Sequence, residues 1–157
     1  MGNNVVQTIT IGVAKKEDLH AVYQLEQRLF GEHCYPDFFI RQAYDCWSAG
    51  FLIAREQNNV VGYVLCAPQF NDISLKVSEG WILALAVDTS VQGRGVGKTL
   101  MQEAMDVLSG CKKLWLTVHP ENHAKKLYQQ LGFVDVEQES EYFGVDQPRV
   151  KMEYVVA

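Results

Sequence analysis

The sequence predicts an α/β fold with about seven strands, and three observations support this. The near-continuous apolar run at 81–88 is typical of a strand buried on both faces, and residues with helical spacing follow it. The strand-like run at 113–118 also precedes a helical pattern. In the first half, Gln57-Asn58-Asn59 joins two strand-like segments, as in a β-hairpin. Strands and helices therefore share one continuous chain.

In chain order the patterns predict one strand, two helices, three strands, a helix, a strand, a helix and two strands. The strands are short apolar or alternating segments, namely 8–13, 51–55, 60–67, 81–88, 113–118, 133–139 and 149–156. The helices have amphipathic spacing, at 15–30, 36–48, 96–108 and 120–131. The polar stretch 68–78 is expected to be irregular. No repeat or proline-rich linker interrupts this order, so a single domain over 1–157 is expected.

The glycine-rich turn after the strand at 81–88 predicts a phosphate site. Gln92-Gly93-Arg94-Gly95 leads into a helix with apolar residues at Val96, Leu100, Ala104, Val107 and Leu108. The unpaired N–H groups and the positive dipole end of a helix N-terminus attract phosphate. Glycine lets the backbone adopt unusual dihedrals or approach a ligand closely. A phosphorylated ligand is therefore expected at this turn.

Gly97-Lys98-Thr99 also resembles the end of a nucleotide-binding P-loop, but the spacing does not fit. That motif places its first glycine five residues before the second, and Gln92 stands there. It also needs a later apolar strand ending in a magnesium-binding aspartate. The only such strand ends at Asp88, before the loop. The sequence therefore disfavours nucleotide hydrolysis.

Two motifs in order identify a family resemblance. Gln92, Gly95 and Gly97 form Gln-x-x-Gly-x-Gly, the pyrophosphate-binding signature of the Gcn5-related N-acetyltransferases, the GNAT superfamily. About thirty residues later, Asn122 is followed by Ala124, then Leu127-Tyr128 and Leu131-Gly132-Phe133, which is similar to the second signature. The chain most resembles the RimI-type enzymes, which acetylate ribosomal-protein N termini.

The resemblance implies a mixed, mostly antiparallel sheet with helices on both faces and a splayed parallel pair of strands at the cofactor site. It implies acetyl-CoA as co-substrate, with the pantetheine arm pairing with the backbone of Leu85, Ala86 and Val87. Asn122 matches a residue that contacts the cofactor arm, although helix capping is an alternative. Arg94 and Lys98 either face the CoA phosphates or lie in solvent. The diphosphate is expected on Gln92, Gly93, Arg94, Gly95, Val96, Gly97, Lys98 and Thr99.

Tyr128 matches the family's general acid, which protonates the leaving thiolate. A core position for its ring is compatible with that role. The base is less clear, because Trp81 and Thr117 stand where relatives carry glutamates. Glu79 and His119 are substitute candidates, although each could be an ordinary surface residue.

The acceptor stays open between a protein or peptide amine and a small cationic amine such as a polyamine. A missing base favours amines of low pKa or a base acting through water, because freeing a lysine amine at neutral pH costs about 4 kcal/mol and an α-amine only about 1. Glu26, Phe30 and Tyr35-Pro36-Asp37-Phe38 resemble the region that RimI-type enzymes place beside the acceptor, although these aromatics could simply pack the pair of helices. The alternative from another class is a catalytically weak acyl-CoA-binding regulatory module.

Composition limits the other possibilities. The 157 residues carry a net charge of −5, which argues against nucleic acid as a partner. No apolar run reaches the ~18 residues of a membrane span, and residues 1–4 lack signal-peptide features, so a cytoplasmic protein is expected. The four cysteines have no paired spacing, and His119 with His123 lacks a third ligand, so no metal site is expected. A homodimer through the C-terminal strands is possible.

Overall fold

The computed structural model describes residues 8–71, 74 and 76–156, and its elements follow the predicted order. The strands are β1 Ile9–Val13, β2 Phe51–Glu56, β3 Asn59–Phe70, β4 Val77–Val87, β5 Lys113–Val118, β6 Val134–Glu139 and β7 Arg149–Val155. The helices are α1 Leu19–Phe30, α2 Asp37–Trp47, α3 Val96–Val107 and α4 Ala124–Gln130.

The strands form a seven-stranded sheet in the order β1-β2-β3-β4-β5-β7-β6. β4 and β5 are parallel, whereas β1 with β2, β2 with β3, β5 with β7 and β6 with β7 are antiparallel. The register between β4 and β5 joins residues 79–81 to 113–115, although both strands continue beyond it. The predicted mixed sheet and its splayed parallel pair are confirmed.

Contacts within the chain group it into two compact units. The first unit contains the residues up to Leu65 together with Ala84–Ala104, and the second contains Cys66–Leu83 together with the residues from Met105 onwards. The prediction of a single domain stays a prediction.

In the first unit, α1 and α3 pack on opposite faces of β3. A Cβ on Gly62 would lie 3.2 Å from a methyl of Leu100 in α3, whereas the hydroxyl of the next residue, Tyr63, donates a hydrogen bond to Glu26 in α1. Successive side chains of a strand point to opposite faces. The predicted helices on both faces are therefore present in this unit.

In the second unit, β5 alternates between a buried and a half-buried face along its whole length, and β7 does so from Arg149 to Glu153. Leu114, Leu116, Val150 and Met152 are buried, and the residues between them are half-buried. The buried face belongs to the core of the unit. The half-buried face carries Trp115 and Thr117 on β5 and Arg149 and Lys151 on β7.

Several predicted boundaries are wrong. The segment 68–78 is not irregular throughout, because β3 extends to Phe70 and β4 begins at Val77. Pairing between neighbouring strands overrides weak local propensity there. The last helix begins at Ala124 and not at residue 120, because a turn closed by the Asn122 N–H on the His119 carbonyl precedes it. In α3, Val107 is exposed although it belongs to the apolar positions at helical spacing, whereas Met101 is buried.

Candidate active site

The connection from β4 to α3 is fixed in the first unit by Asp88. Its N–H donates to the Val61 carbonyl at 2.8 Å, and its carboxylate accepts the Ser90 N–H at 3.0 Å. The other carboxylate oxygen lies 2.7 Å from the Arg28 guanidinium. The Ser90 N–H, and to a smaller extent Arg28, lower the pKa of Asp88. The carboxylate stays ionised and anchors the start of the glycine-rich turn.

The backbone conformation of the glycine-rich turn requires glycine at two positions. Gly93 has φ 81° and Gly95 φ 77°, and nothing lies within 4 Å of a Cβ placed on either residue. Only glycine adopts such dihedrals at little cost. The first bond of α3 joins the Thr99 N–H to the Gly95 carbonyl at 3.0 Å. The N–H groups of Val96, Gly97 and Lys98 precede that bond, and such groups are donors for an anion.

The side chains of the turn divide into those bound to the protein and those in solvent. Gln92 donates from Nε2 to the Val87 carbonyl at 3.2 Å, and Thr99 donates its hydroxyl to the Gly95 carbonyl at 2.9 Å. Arg94 Nη2 lies 2.7 Å from Glu56 Oε2. Lys98 is exposed. The turn therefore offers backbone donors first, with Lys98 as an exposed cation.

The predicted pantetheine strand lies at the end of β4. Ala86 is buried, and its carbonyl would lie 2.9 Å from a Cβ on Gly62, so only glycine allows this approach of β3. Leu85 and Val87 are half-buried and alternate with Ala86. Their side chains therefore point away from the face on which Ala86 is buried.

Tyr128 lies in α4 of the second unit and is only 7% exposed. Its ring packs edge-on against Phe133, with 6.3 Å between the ring centroids. Burial raises the pKa of the Tyr128 hydroxyl to about 12, although the positive charge of Arg149 works in the opposite direction. The hydroxyl therefore keeps its proton at neutral pH and is able to donate it.

Three other predicted residues of the second unit make local hydrogen bonds. Asn122 Oδ1 accepts the Ala124 N–H at 2.9 Å, which caps the entry to α4. His119 Nδ1 accepts the Glu121 N–H at 3.1 Å, so the proton of the neutral ring is assigned to Nε2. Glu79 Oε2 accepts a hydrogen bond from Asn71 at 2.9 Å. Their roles toward cofactor and acceptor stay predictions.

Thr117, at the position where the family resemblance places a glutamate, forms hydrogen bonds with the positively charged side chain of Arg149. Arg149 donates from Nε to the Thr117 hydroxyl at 3.1 Å and from Nη2 to the Thr117 carbonyl at 2.7 Å. The sequence did not predict this pair. Charged residues alternate along β7, but this alternation does not show which strand β7 pairs with.

A second group missed by the sequence lies on the half-buried face, and we call Trp81, Trp115 and Lys151 the indole–lysine cluster. The two indole centroids are 6.3 Å apart. Lys151 Nζ lies 4.3 Å from the Trp115 ring centroid and 5.5 Å from that of Trp81. Trp81 also donates a hydrogen bond to Gln69. An ammonium at these distances is attracted by the faces of the rings.

Glu26 fixes the segment between α1 and α2 in the first unit. The residue is 2% exposed, and its carboxylate accepts hydrogen bonds from the Tyr35 N–H at 3.0 Å and from the Tyr63 hydroxyl. Burial raises the pKa of Glu26, although both hydrogen bonds oppose this effect. Glu26 thus determines the path of Tyr35-Pro36, and each of its carboxylate oxygens accepts a hydrogen bond within the protein. A role beside the acceptor stays a prediction.

Within the described part of the chain, no group of three or more His, Cys, Asp or Glu residues could hold a metal ion. Cys34, Cys46, Cys66 and Cys111 are free thiols. Among the same residues, no helix is both long enough and apolar enough to cross a membrane.

Comparison with known proteins identifies the family. The model of the acetyltransferase (GNAT) family matches residues 19–133. The [ribosomal protein bS18]-alanine N-acetyltransferase of Salmonella typhimurium is 30% identical over 131 residues, covering 79% of this chain and 80% of the relative. The N-alpha-acetyltransferase of Sulfurisphaera tokodaii is 25% identical over 139 residues, 83% of each chain.

Among solved structures, a chain of the NatC complex bound to Gag peptide and CoA has the same fold. The TM-score is 0.84 at 21% identity, over 95% of this chain and 99% of that one. The family match covers well over half of the sequence, and both signature motifs lie inside it. The chain belongs to the acetyltransferase (GNAT) family and is an acetyl-CoA-dependent N-acetyltransferase.

Proposed function

We propose that this enzyme acetylates the α-amino group at the N terminus of a protein or peptide. The observation that carries the proposal is the Arg149–Thr117 pair, which puts a guanidinium where a base would stand on β5. A nearby cation disfavours the ammonium form of an amine and lowers its pKa. An α-amine, with a pKa of roughly 7.7–8.0, then needs little further help to lose its proton. A lysine amine would start from about 10.4.

Two relatives support the same acceptor class. The Salmonella relative is named for the alanine of ribosomal protein bS18, and the Sulfurisphaera relative is named an N-alpha-acetyltransferase. Both names support a protein N terminus, rather than a polyamine, as the acceptor. The cationic residues on the half-buried face of the second unit also disfavour a polycationic acceptor.

For the cofactor, we assign the diphosphate to the N–H groups of Val96, Gly97 and Lys98, with Gly93 and Gly95 shaping the turn. Lys98 adds an exposed positive charge, whereas Arg94 and Thr99 brace the turn through Glu56 and Gly95. Backbone groups at Leu85, Ala86 and Val87 pair with the amide-like pantetheine arm. Asn122 contacts that arm through the part of its amide that does not cap α4.

Tyr128 is the proposed general acid. The amine nitrogen attacks the thioester carbonyl carbon, the C–S bond breaks, and the electron pair leaves on the CoA sulfur. Tyr128 donates a proton to that sulfur and regains one from solvent, and the proton lost by the amine passes to solvent. The raised pKa of Tyr128 keeps the hydroxyl protonated until the thiolate forms. Glu79 and His119 stay predictions as substitute bases.

The test is thiol release from acetyl-CoA with four acceptors, namely a peptide with a free N terminus, the same peptide N-terminally blocked but with an internal lysine, a polyamine and an aminoglycoside. The proposal expects turnover with the free N terminus and at least tenfold less with the others, reflecting the pKa difference between the amines. Preference for lysine or a polyamine would overturn it. Acetyl-CoA binding without turnover on any acceptor would instead favour the regulatory module.

Two further predictions concern where the enzyme is located and how it assembles. We expect the enzyme in the cytoplasm, where the sequence analysis places it. A homodimer would form through β6, because β6 lies at the edge of the sheet and its residues Val134 and Val136 are at least half exposed.

A further inference from the structure

The indole–lysine cluster fixes a positive charge on the half-buried face of the second unit. Lys151 is half-buried, with its ammonium over two indole rings. The rings hold the ammonium in place but do not neutralise it. Lys151 also stands opposite Thr117 in the register of β5 and β7, so both side chains point to the same face.

Several carboxylates lie near this face. Glu153 pairs with Lys113 at 3.7 Å, and Glu79 accepts a hydrogen bond from Asn71. Glu137 stands directly opposite Lys151 on β6, so its side chain lies on the same face, where it is exposed. Within the described residues, Lys151 forms no ion pair with any carboxylate. Its charge is therefore available to a partner.

The same face adjoins the proposed chemistry. Arg149 precedes Lys151 by two residues on β7, so the two side chains share the face, and Arg149 holds Thr117. The charge of Arg149 also acts on the Tyr128 hydroxyl. A group recognised by Lys151 therefore lies next to the residues that handle the amine.

We propose that Lys151, held in place by Trp81 and Trp115, selects acceptor peptides that carry a carboxylate side chain in their first two residues. This inference rests on the proposed function, because it names the class of N terminus that the enzyme prefers. Charge complementarity identifies the occupant, since a basic or polycationic peptide would meet Lys151 and Arg149 with like charge.

The test compares peptides that differ by one isosteric change, Asp against Asn and Glu against Gln, at the first and then at the second position. The readout is kcat/KM for thiol release from acetyl-CoA. The wild type is expected to prefer the acidic peptide by about fivefold, the effect of a partly screened ion pair. Lys151→Met keeps the aliphatic packing on the indoles and should remove the preference, whereas Lys151→Arg should retain it.

Salt gives a measurement that needs no variant. The preference of the wild type should shrink as ionic strength rises from about 0.05 to 0.5 M, because added ions screen the pair. An acidic preference that salt does not change would overturn the inference even if Lys151→Met failed to fold. Equal kcat/KM values for both members of each peptide pair in the wild type would overturn it directly. So would an unchanged preference in folded Lys151→Met.

A binding titration separates this inference from the proposed function. Peptides are titrated into the protein with CoA present, and the tryptophan fluorescence of Trp81 and Trp115 reports binding beside Lys151. If no peptide is acetylated, the proposed function fails, and the titration alone decides the inference. Tighter binding of the acidic peptide to the wild type but not to Lys151→Met supports it, and equal binding overturns it.

Discussion

The glycine-rich turn of the first unit and the half-buried face of the second unit use different parts of the chain. The turn presents backbone N–H groups from consecutive residues, with Gly93 and Gly95 in left-handed conformations. The face presents side chains from β4, β5 and β7, which are far apart in sequence. The turn is the proposed cofactor site, and the face is the proposed acceptor site.

The difference shows which functions a chain can change easily. Backbone donors depend on dihedral angles, so a few glycines suffice and most neighbouring side chains are free to vary. Selectivity on the face depends on which side chains the strand register brings together. Having Thr117 in place of the expected glutamate would change which groups on the face can take up a proton, and the dihedral angles of the turn would stay the same. The predictions below test this division of labour, from the largest expected effect to the smallest.

Tyr128→Phe should reduce kcat about a hundredfold, because a positioned general acid contributes at least that factor. The buried ring is kept, so the fold and the Kd for acetyl-CoA should not change. Stopped-flow thiol release and a cofactor-binding titration measure the two quantities. Tyr154→Phe is the matched control, since Tyr154 also packs against Phe133. A decrease of less than threefold in Tyr128→Phe would remove Tyr128 from the mechanism.

The value of kcat/KM should rise with pH and then stay constant. Below about pH 8 the acceptor α-amine is protonated, and each unit of pH should raise kcat/KM about tenfold. Above that point the rate should stay flat, because the pKa of Tyr128 is raised to about 12 and the acid keeps its proton. Initial rates between pH 6 and 10.5, corrected for thioester hydrolysis, give the profile. A falling limb centred near pH 10 would mean that Tyr128 titrates in its ordinary range.

Gly95→Ala should weaken acetyl-CoA binding about fivefold and leave the acceptor preference unchanged. The residue has φ 77°, where a side chain costs roughly 1–2 kcal/mol, and the strain acts on the donors of the turn. Isothermal titration with acetyl-CoA measures the effect. Gly12→Ala serves as the control, because that glycine has open space around it and no left-handed φ. Equal losses in the two variants would show that the turn does not depend on its dihedrals.

Glu79→Gln and His119→Ala should each change kcat/KM for an N-terminal peptide by less than threefold. The α-amine needs little base, and both side chains make hydrogen bonds within their own neighbourhood. The measurement is kcat/KM at pH 7 and at pH 9. A loss of a hundredfold at pH 7 that disappears at pH 9 would identify that residue as the base.

Much of the fold was readable from the sequence, because local patterns determine it. The order of strands and helices follows from apolar periodicity, and the hairpin after β2 from Asn-rich turn residues with positive φ at Gln57 and Asn58. The boundaries near Phe70, Val77 and Ala124 were missed, because strand pairing and a capping side chain determine them.

The conformation of the glycine-rich turn was also readable, since the turn consists of neighbouring residues and its glycines have unusual dihedrals. Its role toward the cofactor stays a prediction. The partners of Thr117, Glu26 and Trp115 were not, because each lies on another element and only the tertiary structure brings them together. Residue types along one strand give the alternation of faces but not the register against the next strand. The sequence by itself thus determined the reaction class and the glycine-rich turn. The charges on the half-buried face of the second unit were decided by the packing of β4, β5 and β7.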